Sequence, residues 1–338
     1  MTAMLSGARD VPRSRRWLAG LVLGALAQLA QAAGGPPLEL AATIPMPGVE
    51  GRIDHLALDA AGRRIFVAAL GNGTVEVLDL ARGRDEKSLP GFGEPQGLVV
   101  VPASNRLYVA EGGANRVDVL DARTLAPLRE IHGLPDADNV RYDAASRTVL
   151  VGYGEGAFRM IDADTGRSMG DIRLPGHPEA FEPEGRRVFV NVPGAREVAV
   201  VNRVKRKVIG AWSVPGARAN FPMALDAKDR RLFVGARLPA EILVYDIDSG
   251  AVVARAPISR DADDIFFDAE RRRVYVVCGE GRVDVLRQES PDRYASEGFV
   301  RTAPRARTGL FVPRQSTLYV AAPAAGGVPA RVLVYRVR

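Results

Sequence analysis

Hydrophobic and polar positions along this chain fall into one short pattern that is written seven times. Each copy opens on an apolar run rich in β-branched and aromatic residues, passes a loop carrying Gly or Asn, and continues as a strand of alternating character. The clearest copies are Ile65-Phe66-Val67-Ala68-Ala69 leading to Thr74-Val75-Glu76-Val77-Leu78-Asp79, and Leu107-Tyr108-Val109-Ala110 leading to Val117-Asp118-Val119-Leu120-Asp121. The second residue of each run is Phe66, Tyr108, Leu150, Phe189, Phe233, Tyr275 or Tyr319. Successive anchors lie roughly 42, 42, 39, 44, 42 and 44 residues apart, a period typical of four-stranded propeller blades. Tight turns such as Asp59-Ala60-Ala61-Gly62, Asp143-Ala144-Ala145-Ser146 and Asp226-Ala227-Lys228-Asp229 precede the apolar runs. Asp, Asn and Gly tolerate the backbone angles such turns need. A fourth, more polar strand (Ala126-Pro127-Leu128-Arg129-Glu130-Ile131) fits the outer edge of a unit.

The pattern predicts an all-β chain: a seven-bladed β-propeller of four-stranded antiparallel blades, one domain over residues 33–338. Each unit buries its faces only against its neighbours, so the repeat overrides the two domains that length alone would suggest. The seventh unit stops at Arg338 without an outer strand, while Leu38 to Ile44 precedes the first unit with no partner. That segment is expected to complete the last blade and close the ring, protecting an otherwise open edge.

Residues 1–32 read as a cleaved export signal: Arg13, Arg15 and Arg16 lead into the apolar stretch Trp17 to Ala30, and Ala30-Gln31-Ala32 offers a cleavage site. Ser14-Arg15-Arg16-Trp17-Leu18 partly matches a twin-arginine signal, so either the general secretory or the twin-arginine route fits a periplasmic or secreted protein. The apolar run is short for a membrane span, and the mature chain offers none. Removing Arg9, Asp10, Arg13, Arg15 and Arg16 takes the formal net charge from +6 to +3. The remaining arginines, as in Arg63-Arg64, Arg186-Arg187 and Arg271-Arg272-Arg273, are spread through the repeats and read as a solvated rim. Nucleic-acid binding calls for a concentrated basic stripe with stacking aromatics, and neither is present. The single cysteine, Cys278, ends the run Val274-Tyr275-Val276-Val277 and reads as a small buried apolar group. With one cysteine there is no internal disulfide and no Cys-x-x-Cys-His for c-type haem.

The repeat resembles that of the YVTN-type, YncE-like seven-bladed β-propellers, a group of bacterial exported proteins. Leu107-Tyr108-Val109-Ala110 and Val117-Asp118-Val119-Leu120-Asp121 carry the resemblance best, and it extends over about residues 38–338. It implies a propeller fold and leaves the function open among binding scaffolds and lactone hydrolases.

Stepping back eleven residues from each anchor, with small gaps, aligns one position per blade at the connection entering the inner strand. The pairs are Asp54-His55, Gln96-Gly97, Asp138-Asn139, Pro178-Glu179, Phe221-Pro222, Asp263-Asp264 and Arg307-Thr308, with His177 and Asn220 one residue earlier in their units. These side chains are expected to ring one mouth of the central channel. The bland alternative makes them turn formers and caps. Two Asp-Ala-Asp segments, Asp136 to Asp138 and Asp261 to Asp263, favour a site, because crowded carboxylates need protons, cations or metals to offset their repulsion.

The ring is read as a ligand-binding site for a small molecule, peptide or envelope protein on a monomeric propeller. A divalent metal is an open candidate, with Asp54, His55, Asp263 and Asp264 as ligands by type. His55 and His177 lie in nearly opposite blades and do not suit one ion. A hydrolase acting on lactone-like substrates is the alternative, with His55, Asp263 and Arg307 as candidate catalytic residues. Neither a Gly-x-Ser-x-Gly nucleophile nor a phosphate-binding loop occurs. Glu111, Tyr153, Asn191 and Arg237 flank the glycine loops and are expected to widen the polar mouth, whereas His132 reads as a surface residue.

Overall fold

A computed structural model describes residues 35–338, so the export signal read over residues 1–32 lies outside the described residues. Seven four-stranded antiparallel sheets follow one another along the chain. Blade 1 holds Leu56–Leu58, Arg64–Ala69, Thr74–Asp79 and Arg84–Pro90, and blades 2 to 6 repeat that order. The second strand of each blade is buried almost throughout, as in Arg64–Ala69 and Arg106–Glu111. Its neighbours cover both faces, so β-branched and aromatic residues fill it without alternation. The fourth strands, such as Arg84–Pro90 and Lys207–Ser213, are mostly exposed, which explains their polar composition.

Apolar clusters lie between blades. Between blades 4 and 5, Phe189, Val198 and Val200 pack with Leu232, Val234 and Tyr245. Between blades 6 and 7, Tyr275, Val277 and Val285 pack with Phe311, Leu318 and Tyr335. Tyrosine hydroxyls bond across the same seams: Tyr108 to the Ala163 carbonyl at 3.2 Å, Tyr245 to Ser213 at 2.9 Å and Tyr335 to Arg301 at 2.9 Å.

The last blade closes as expected. Leu38–Pro45 pairs antiparallel with Arg331–Val337, in register from Leu38↔Val337 to Pro45↔Arg331 with one irregularity between Leu40 and Ala42. Leu38 and Ile44 are buried, and Arg338 forms an ion pair with Glu39.

The arginine pairs correct the expectation of a uniformly solvated rim. Arg63, Arg186 and Arg272 are exposed, but their neighbours cross to the next blade. Arg64 donates to the Ala122 carbonyl at 2.7 Å, Arg187 to Ile247 at 2.6 Å and Arg271 to Ser316 Oγ at 3.0 Å. Arg272, exposed as it is, lies 3.5 Å from Asp229 of the preceding blade, so both arginines of that pair reach a neighbour. Cys278 is free and fully buried, and burial pushes its thiol well above the usual range.

Candidate functional site

The ring positions gather because one backbone device recurs before the inner strand of five of the seven blades. In blades 2, 3, 5, 6 and 7 a left-handed residue stands two places ahead of the ring position: Glu94 (φ 53°), Asp136 (φ 49°), Ala219 (φ 58°), Asp261 (φ 60°) and Arg305 (φ 64°). It turns the chain toward the axis and delivers Gln96, Asp138, Phe221, Asp263 and Arg307. The first Asp of each Asp-Ala-Asp segment is therefore a turn former, since short polar side chains tolerate this conformation. The last Asp faces the site. Blade 2 yields space to blade 3: a Cβ on Gly97 would lie 2.2 Å from the Asp138 carbonyl oxygen.

Side chains from five blades line one small cavity at this mouth, among them Arg52, Asp54, Asp138, Asn139, Glu179 and Asp263. Its free volume of ≈ 20 Å³ suits about one water-sized group. His55 separates it from a larger section of the channel, ≈ 290 Å³, whose wall is mainly Leu, Val, Ile and Met. Only Arg141 and Glu182 add charge to that wall beyond His55 and Asp264. Burial pushes the Glu182 carboxyl up to about 7, against the opposing pull of Arg141.

Charges at the mouth divide into three groups. In the first, Asp54, 1% exposed, accepts from Arg52 at 2.6 Å and faces His55 Nε2 at 3.6 Å. The other ring nitrogen, Nδ1, is 3.7 Å from Asp264 Oδ2, which accepts the Gly309 N–H at 2.8 Å. Burial works against a charged His55, but the Asp264 carboxylate outweighs it and the ring is held up to about 9. Burial raises Asp54, with His55 and Arg52 pulling the other way.

In the second group, Asp263 sits between two guanidinium groups. Arg237 binds one of its oxygens and Arg307 Nε lies 2.9 Å from the other. Both arginines also reach Asp261, at 3.5 and 3.3 Å. Arg237 is steered by the Ala262 carbonyl at 2.9 Å and by the Phe221 ring 4.0 Å beneath its guanidinium. Burial still lifts Asp263 to about 6 despite both cations.

The third group is Asp138, His177 and Glu179, each with one donor atom within 4.8 Å of the other two. His177 Nδ1 lies 2.7 Å from the Gly154 carbonyl, and Nε2 lies 3.7 Å from Asp138 Oδ2. The Asp138 carboxylate holds His177 up to about 9. Burial, then the Asp138 charge, pushes Glu179 up to about 8.

The four metal candidates read from sequence, Asp54, His55, Asp263 and Asp264, are already matched to Arg52, Gly309, Arg237, Arg307 and one another. The set with ligand spacing is a different one. Asn220 belongs to the framework: fully buried, it donates to Asn191 Oδ1 at 3.0 Å and to the Glu197 carbonyl at 3.1 Å. Asn191 in turn holds the Phe221 and Pro222 carbonyls, each at 3.0 Å. Gln96 is buried against the Ala137 carbonyl. Of the residues expected to widen the polar mouth, Glu111 and Asn191 are instead fully buried, and Tyr153 lies under Arg159. Arg237 is part of the site itself. His132 is exposed beside Glu130, at 3.2 Å.

Arg52 was given no role from sequence, Phe221 was named only as a ring position, and Arg237 only as a residue widening the mouth. The usable signal was strand alternation: the loop joining the second and third strands returns to the same mouth as the entry to the first. Gly154 comes from such a loop, and Arg237 from the end of the strand Arg231–Leu238 that leads into one.

No protein-family model matches the chain, and no curated protein matches it in sequence. Solved structures do match. A chain of the hydrazine synthase of Kuenenia stuttgartiensis superposes with a TM-score of 0.73 at 16% identity, covering 86% of this chain and 96% of that one. A chain of a mitotic checkpoint complex gives 0.75 at 13% identity, covering 99% of each. The structure of U3-55K gives 0.77 at 8% identity, covering 89% and 100%. Likeness at such identities carries the fold alone: this is a seven-bladed β-propeller. No helix among the described residues is long and apolar enough to cross a membrane.

Proposed function

We propose that this chain is an exported binding propeller of the YVTN-type, YncE-like group, and that its charged mouth captures a small ligand, a peptide or an envelope protein. The observation that carries this reading is the convergence of charged side chains from four blades on a single cavity, with Phe221 joining from a fifth. Burying ionisable groups is costly, and a fold that needed only to turn its chain would fill these positions with glycine or small polar residues. The repeat residues and the export signal read over residues 1–32 support the affiliation and the periplasmic or secreted location.

Native mass spectrometry of protein purified from its own cell envelope tests the reading. A species that co-purifies with the wild type is expected to vanish in Arg307→Ala and in Asp263→Asn while both variants keep their melting profile. Retention in both folded variants would sink the mouth as the site. The lactone-hydrolase reading keeps one support: burial, then the Asp138 charge, pushes the Glu179 carboxyl up to about 8, closer to the range in which general acids and bases work. Incubating the same samples with a simple lactone decides it: turnover lost in Glu179→Gln would favour the enzyme, and no turnover by wild type would remove it.

A further inference from the structure

Within the mouth, the arc formed by blades 3 and 4 has a donor set of its own. The Gly154 carbonyl, 2.7 Å from His177 Nδ1, can only accept. The ring therefore keeps a proton on Nδ1, and a neutral His177 presents its lone pair at Nε2. Metal-bound histidines are oriented in this way, with the second ring nitrogen tied to a carbonyl or carboxylate. Nε2 faces Asp138, and Glu179 completes a set of three donor atoms within 4.8 Å of one another. Ligands bonded at ~2.0–2.2 Å to one ion stand no more than ~4.4 Å apart, so slight side-chain rotation closes the set.

Asn139 adds an independent observation. It is 3% exposed and lines the same cavity as Asp138 and Glu179. Among the described residues five buried side-chain oxygens lack a hydrogen-bond partner, and Asn139 Oδ1 is the one of them that belongs to this cavity. An imidazolium between the two carboxylates would satisfy the charges but would give Asn139 no donor. A cation, or a water held by one, satisfies both. The ≈ 20 Å³ of free space matches an ion or a water.

We propose that Asp138, His177 and Glu179 bind one first-row divalent transition cation of the Zn²⁺ or Mn²⁺ class, with Asn139 Oδ1 facing the ion or its water. One imidazole among carboxylates selects such ions over Ca²⁺ and Mg²⁺, which take all-oxygen sets. The proposal deepens the binding reading and rests on the mouth being the site.

Titration of tag-free, metal-stripped mature protein with Co²⁺, followed by visible absorption, tests it. The wild type is expected to saturate at about one equivalent, and His177→Gln and Glu179→Gln to weaken binding at least ~10-fold, the scale of lost ligand-sphere contacts. His132→Ala, on the exposed outer strand, is expected to stay within about twofold of wild type. Thermal melts establish that each variant is folded, and the near-isosteric Glu179→Gln guards against a collapsed His177 variant. Absence of saturable Co²⁺ binding, or wild-type affinity in both glutamine variants, would overturn the site. A wild type that binds no Co²⁺ yet keeps its mouth-dependent co-purifying species removes the metal alone; loss of both removes the binding reading as well.

Discussion

Aspartates in this chain do two opposite jobs, and their surroundings separate them. Asp79, Asp121, Asp162 and Asp246, which end the third strands of their blades, are held below the usual carboxylate range by hydrogen bonds from Arg82, Thr124, Thr165 and Ser249. They cap turns. Asp54 and Asp263 at the mouth are pushed up by burial instead. The most conspicuous carboxylates in the sequence thus cap turns, and those of the mouth are set apart only by their register. His55 permits a test of sign. Its folded value of about 9 exceeds the ordinary 6.5, so its contribution is complete below pH ~6.5 and is lost as pH rises through about 9. A shift of that size is worth about 3 kcal/mol at most. Urea unfolding of wild type is expected to show falling stability from pH 6.5 to 9, with a clearly smaller fall in His55→Gln. Parallel curves would refute the pairing with Asp264.

At the scale of elements, the strands were legible because period-two alternation and continuous apolar runs both follow from how many faces a strand buries. The ring of entry residues was legible for the same reason: equal spacing puts Asp54, Asp138, Asp263 and Arg307 at one register. What spacing does not encode is the reach of long side chains across blades. Arg237 binds Asp263 from the next blade, and Arg64 reaches Ala122 from one blade to the next. Nor does it show that Asn220 points into the framework. The closing strand gives a direct check of packing. Ile44→Ala is expected to cost ~2–5 kcal/mol in urea unfolding, as for other buried aliphatic truncations. Leu40→Ala, at a position 52% exposed on the same strand, is expected to stay within ~0.5 kcal/mol. Equal costs would mean that the strand does not seat as described.

For the molecule as a whole, stability rests on seams between blades, since the lone cysteine forms no disulfide. Every blade shares its apolar clusters with its neighbours, so opening one blade exposes two interfaces. Cys278 reports on this. Buried in the cluster between blades 5 and 6, its thiol is expected to resist a thiol reagent in native buffer and to react at the rate of global unfolding in urea. Much faster labelling would show that the ring opens locally there.

The strand that fastens the ring also sets an order of events. Leu38–Pro45 is the earliest strand of the described chain to be synthesised, and its partner Arg331–Val337 is the last. Nearly the whole propeller must be made before the two can meet, and contacts so distant in sequence are slow to form. Until then both ends of the unfinished ring offer bare strand edges. Translation that halts before Arg331 leaves those edges unmatched, so the ring closes only once both strands of this joint have been made.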